Sequence, residues 1–183
     1  GDDDDTTSGD DDDTTSGDDD DSTTPPPPPP LVAGDLIVTE LAVNPGAVDD
    51  TAGEWVEIKN RSTQVVNLSG WTLADRGPDS LVISPDGPLV VAIGGYVVLG
   101  RSTAQSTNGG APVDWAYGTA FTLANSGDEV VLSMPSGLEI FALEYQSTFP
   151  NPSGVSTQLP AASQTPVAAS NPANWCSTPV GTT

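Results

Sequence analysis

Apart from proline, no apolar side chain occurs before Leu31 in this chain of 183 residues, and that boundary fixes where a core can form. Residues 1–24 are three octads, GDDDDTTS, GDDDDTTS and GDDDDSTT. A segment with nothing to bury cannot offset the entropy of ordering its backbone, and like charges along it hold it extended. The octads are therefore expected to form a disordered acidic tail. Pro25 to Pro30 follow, and a run of prolines favours a polyproline II rod rising about 3.1 Å per residue. This reading divides the chain into acidic repeats at 1–24, a polyproline linker at 25–33, a folded unit at 34–160, and an irregular C-terminal segment at 161–183 that packs on the folded unit through Trp175.

After Leu31, short β-branched runs alternate with clusters of Gly, Pro, Asn and Asp, the texture of an all-β sandwich or barrel. Strands are expected over Asp35 to Val43, Glu54 to Asn60, Val65 to Leu73, Leu81 to Ser84, Tyr96 to Gly100, Glu129 to Met134, Leu138 to Tyr145 and Val155 to Leu159. No stretch carries a helical period. The clearest hairpin is EVVLSMPSGLEIFALEY, whose Pro135-Ser136-Gly137 spacing suits a tight turn with glycine at positive φ. In VVNLSGWTLAD strict alternation would place Leu68 and Trp71 on opposite faces. A bulge at Ser69-Gly70 would bring both inward, which is the expectation because a large indole gains more when buried. Ser102 to Trp115 is polar and glycine-rich and is read as an exposed loop.

Composition excludes several function classes. Twelve of the 26 acids are the octad aspartates, which leaves fourteen acids against Lys59, Arg61, Arg76 and Arg101, a net charge of −10 on the body. Such a surface repels phosphates, so nucleic acid is not an expected partner. No run of 18 or more apolar residues is present to insert into a membrane. Without histidine and with the single cysteine Cys176, the Ser-His-Asp, Cys-His and zinc arrangements are all unbuildable. No catalytic residue is assigned and the chain is read as a non-enzyme. Cys176 is expected to be a small buried apolar side chain, with pairing to another chain or to a segment outside this sequence as the alternative.

Five stretches carry a resemblance. GDLIVTELAVNPGAVDDTAGEWVEIKN (34–60) has an opening strand ending in Asn-Pro and then Glu-Trp-Val-Glu-Ile-x-Asn. It is followed by Asn-Leu-Ser-Gly-Trp-x-Leu-x-Asp within 65–75, GGYVVLGR at 94–101, Leu-x-Asn-x-Gly-Asp within 121–132, and Asn174-Trp175 near the end. In this order over residues 34–176 the sequence resembles bacterial lamin-tail domains. The resemblance implies an immunoglobulin-like antiparallel β-sandwich, used as a non-enzymatic accessory module on secreted and surface proteins. Roles proposed across that family run from protein contacts to DNA or membrane association, and the basic surface that DNA binding needs is not evident here.

Three sets of residues are candidate sites. Trp55, Glu57 and Lys59 share one face of EWVEIKN and would form a partner-binding patch, or else a sheet-edge cover with a weak exposed Glu57–Lys59 pair. Asp49, Asp50 and Glu54 lie close in sequence and could offer calcium its oxygens, although no EF-hand loop is present. Thr6, Thr7, Ser8, Thr14, Thr15, Ser16, Ser22, Thr23 and Thr24 could carry glycans that stiffen the tail. Calcium is thus the one cofactor considered. The leading expectation is an extracellular or cell-surface structural and binding module with a protein or glycan partner. The alternatives are a self-assembling, calcium-responsive adhesive or filament subunit, and an accessory domain of a larger secreted hydrolase whose chain would extend past Thr183.

Overall fold

A computed structural model describes residues 26–178, so the acidic octads with their candidate glycan sites lie outside the described residues. In chain order the elements are β1 (Leu36–Ala42), helical turn α1 (Asp50–Gly53), β2 (Trp55–Asn60), β3 (Val66–Asn67), β4 (Thr72–Ala74), β5 (Ser80–Val82), β6 (Val90–Val91), β7 (Tyr96–Gly100), β8 (Trp115–Ala116), β9 (Gly127–Ser133), β10 (Glu139–Gln146), β11 (Thr157–Gln158), helical turn α2 (Pro166–Ala169) and β12 (Cys176–Ser177). A six-stranded sheet runs β12-β11-β1-β2-β7-β8 and a four-stranded sheet runs β10-β9-β4-β5, with β3 and β6 forming a separate ladder. Every pairing is antiparallel except β7 with β8. The all-β sandwich expected from the sequence is what forms.

The core follows from the period of two. On β2, Val56 and Ile58 are buried while Trp55, Glu57 and Lys59 between them are half-exposed. Their partners across the ladder are Leu41 and Val38 on β1, and Leu99 and Val97 on β7, all buried. Leu73, Val130, Leu132 and Leu143 of the facing sheet are also buried. Each such aliphatic side chain contributes about 1.5–3 kcal/mol when removed from water. β1 is buried on both faces: Ile37, opposite Lys59 on the outer side, is fully covered, and α2 packs against this strand. That approach depends on Gly34, whose φ is 87° and where a Cβ would stand 2.5 Å from the Pro166 ring.

Leu68 and Trp71 are both buried, as expected, but by a different device. The stretch Val65 to Leu73 is not one strand. The Trp71 N–H donates to the Leu68 carbonyl at 3.0 Å and Gly70 has φ 85°, so the chain turns there and passes from the β3–β6 ladder into the four-stranded sheet. A turn changes sheets where a bulge would only have shifted faces. The hairpin at Pro135-Ser136-Gly137 is as read: the Met134 N–H donates to the Leu138 carbonyl at 2.9 Å and Gly137 has φ 85°.

Beyond β10 the chain completes the core. Phe149 lies against Tyr145 at 4.9 Å between ring centroids and against Trp175 at 5.6 Å, and the Trp175 indole N–H donates to the Ala169 carbonyl at 3.0 Å. β11 falls within the strand expected over Val155 to Leu159 and pairs with β1. Trp175 is the expected anchor, but the segment after residue 160 is more regular than expected, because β12 pairs with β11 and extends the same sheet. Cys176, expected to be buried, is exposed. Period-two alternation across β12 explains the correction: Trp175 takes the inward position and its neighbour must point out. Two four-residue helical turns, α1 and α2, also form where no helix was read. No helix among the described residues is long and apolar enough to cross a membrane.

Candidate functional site

The outer face of the six-stranded sheet carries a groove of about 550 Å³. Its floor is a patch of cross-strand partners, Glu40 with Glu57, Ala42 with Trp55, and Glu57 with Val98. The register shifts between Val38 and Glu40, which brings Glu40 directly opposite Glu57. One wall is the 108–112 loop and the other is Gly154 to Ser156 with Thr178. The loop wall is pinned rather than free: buried Asn108 donates to the carbonyls of Ser102 and Ala111 at 2.7 and 3.0 Å and accepts from the Gly110 N–H at 3.0 Å. The loop then leads into β8.

Both glutamates on the floor are half-buried. Glu57 accepts from the Thr39 hydroxyl at 2.6 Å, and Glu40 accepts from the hydroxyls of Ser156 and Thr178. Burial holds the Glu57 carboxyl above the ordinary carboxylate range; the Thr39 hydrogen bond pulls it back, the negative Glu40 opposite pushes it further up, and Lys59 lowers it slightly. The arrangement can accept hydrogen bonds, stack a group against Trp55 and bury apolar surface against Ala42, Pro45, Val98 and Val155.

Of the patch expected from EWVEIKN, Trp55 and Glu57 line this groove and Lys59 does not. The Lys59 ammonium donates to Gln164 at 2.6 Å and lies 4.9 Å from the Tyr96 ring centroid. The ion pairs among the described residues are Arg76–Glu139 and Arg101–Glu54, so the exposed Glu57–Lys59 pair does not form. The three carboxylates considered for calcium are not brought together. Asp49 is exposed, Asp50 accepts from the Asn125 side chain at 2.9 Å, and Glu54 turns into the core. No group of three or more His, Cys, Asp or Glu suited to a metal occurs among the described residues.

Glu54 instead forms a buried knot beside the groove. Its Oε2 accepts from Arg101 Nε at 2.9 Å, from Arg101 Nη2 at 2.7 Å and from the Leu123 N–H at 3.1 Å. Its backbone carbonyl accepts from the Arg101 N–H and the Tyr117 hydroxyl at 3.0 and 3.2 Å. Burial pushes the Glu54 carboxyl from 4.5 up to about 7, with Leu123 and Arg101 pulling the other way. Glu54 precedes Trp55 and Arg101 follows β7, so the knot fixes the end of the floor. Glu40, Ser156 and Thr178 were not singled out in the sequence. The available signal was an acid inside the apolar run LIVTELA, a polar residue where β1 is otherwise buried.

A family model described as Lamin Tail Domain matches residues 29–147, the span from the residues before β1 to just past β10. No curated protein matches the chain.

Proposed function

The chain belongs to the lamin tail domain family, whose members are non-enzymatic immunoglobulin-like modules, and from that premise we propose that it is an extracellular or cell-surface structural and binding module. It engages a protein or glycan partner through the outer-face groove. The observation that carries this reading is the groove itself: a concave, largely apolar surface with a half-buried tryptophan and hydrogen-bonding carboxylates, on a sheet whose other face is already committed to the core. The sequence supports display, since the acidic octads have no apolar residue to bury and read as a spacer. The acidic body supports a partner other than nucleic acid.

Binding is tested by titrating the full chain and a Trp55→Ala variant with panels of peptides and oligosaccharides while recording amide and indole resonances. Perturbation centred on Trp55, Glu57 and Val98 in the parent, lost in the variant, is expected. Binding that leaves these residues unmoved would sink the groove as the site. Display is tested separately by protease treatment of intact source cells, where survival of the domain inside the cell would remove the extracellular assignment.

A further inference from the structure

Resting on the reading of this groove as the partner site, we infer that its occupant is a cationic side chain, lysine or arginine, presented by a segment of a partner protein. Charge accounting is the first argument. The chain has four basic residues, and each is engaged elsewhere: Lys59 on Gln164 and Tyr96, Arg61 on the Gly34 carbonyl at 3.2 Å, Arg76 on Glu139 at 3.0 Å, and Arg101 on Glu54 at 2.7 Å. Glu40 and Glu57, partly withdrawn from water and directly opposite across the ladder, therefore share no ion pair among the described residues. Like charges facing each other across strands are destabilising, and one cation between them relieves both.

The walls supply the rest of the fit. A lysine or arginine has an apolar stem and a charged head, and the groove offers Ala42, Pro45 and Val98 to the first and the two carboxylates to the second. Trp55 on the same floor adds an aromatic face, which attracts ammonium and guanidinium groups. Other occupants fit less well. A neutral glycan would leave both carboxylates uncompensated. A second copy brings another acidic body whose own cations are already in use.

The test is a titration of the ¹⁵N-labelled full chain with three short alanine-based peptides bearing one central lysine, arginine or norleucine, and with a neutral oligosaccharide. Residue-resolved spectra separate the groove from the octads, which attract any cation. The lysine and arginine peptides should move the Trp55 indole and Glu57 amide, the norleucine peptide should not, and Glu40→Gln/Glu57→Gln should weaken the groove response about tenfold or more. These substitutions are nearly isosteric, and an unchanged spectrum elsewhere verifies the fold. Equal response to norleucine, a response to the oligosaccharide alone, or indifference to the double substitution overturns the cationic occupant while leaving the groove a binding site. Shifts of the same residues on raising protein concentration without probe would instead assign the groove to a second copy. If no probe moves the groove, the reading it rests on fails as well.

Discussion

Replacing Arg101 with methionine would leave Glu54 buried without its counter-ion. Their side chains are 5% and 1% exposed, and Arg101 also donates to the Gly118 carbonyl and the Thr122 hydroxyl at 3.2 Å each. Methionine keeps most of the stem's packing and supplies none of these donors. Breaking a buried pair from one side costs about 3–5 kcal/mol, because the surviving charge is uncompensated. The cost should depend on pH because that survivor titrates. Glu54 in the parent is raised from 4.5 to about 7, so the folded state holds its proton more tightly than the unfolded chain. Its contribution is fully present below about 4.5 and is lost as the pH rises through about 7. Without Arg101 the carboxyl rises further and stays protonated to higher pH. The variant's deficit should therefore be about 3–5 kcal/mol at pH 8 and about 1 kcal/mol smaller at pH 5, where the parent's Glu54 is protonated as well. Urea denaturation of both proteins at the two pH values, followed by tryptophan fluorescence, measures it. A deficit below about 1 kcal/mol, or one that grows on acidification, would refute the reasoning.

Trp175→Ala removes an indole packed on Phe149 and should cost about 3–5 kcal/mol by calorimetry; a near-neutral result would detach the C-terminal segment from the core. Gly34→Ala places a Cβ against Pro166 at a left-handed backbone position, so limited proteolysis should cut around α2 before it cuts the sandwich. Asn60→Ala strips donors from the carbonyls of Gln64 and Val91 and an acceptor from Ser62, and should lower stability by about 2–3 kcal/mol in chemical denaturation. Glu57→Gln removes a carboxylate whose pKa burial has raised, so it should raise the denaturation midpoint at pH 8 and leave it unchanged near pH 4.

The parts of the fold that the sequence reveals are those set by local periodicity and turn chemistry. Val56 and Ile58 alternate with Trp55, Glu57 and Lys59, and glycine at 137 marks its turn without reference to the rest of the chain. The inward placement of Leu68 and Trp71 was legible from burial energetics, whereas the passage between sheets was not, because Ser69-Gly70 serves a bulge or a turn equally well. Glu54 reads locally as one more acid in a polar loop. Its partner is 47 residues away, and nothing in either neighbourhood announces the pair. The groove is similarly nonlocal: Trp55 and Glu57 belong to one visible motif, but Glu40, Ser156 and Thr178 join them only through the pairing of β1 with β2 and β11, and of β11 with β12.

That pairing also governs when the molecule can fold. β1 is made before the other described strands, yet its ladder with β11 joins Leu41 to Thr157, nearly the whole length of the domain away. β2 can cover one edge early, but the other edge must wait unpaired while the intervening chain is made. Closing so long a loop before its contacts repay the entropy raises contact order and slows folding. The family match ends at residue 147, short of Thr157 and Trp175, so a recombinant fragment trimmed to the matched span should emerge from synthesis with β1 still lacking its second neighbour, and aggregate.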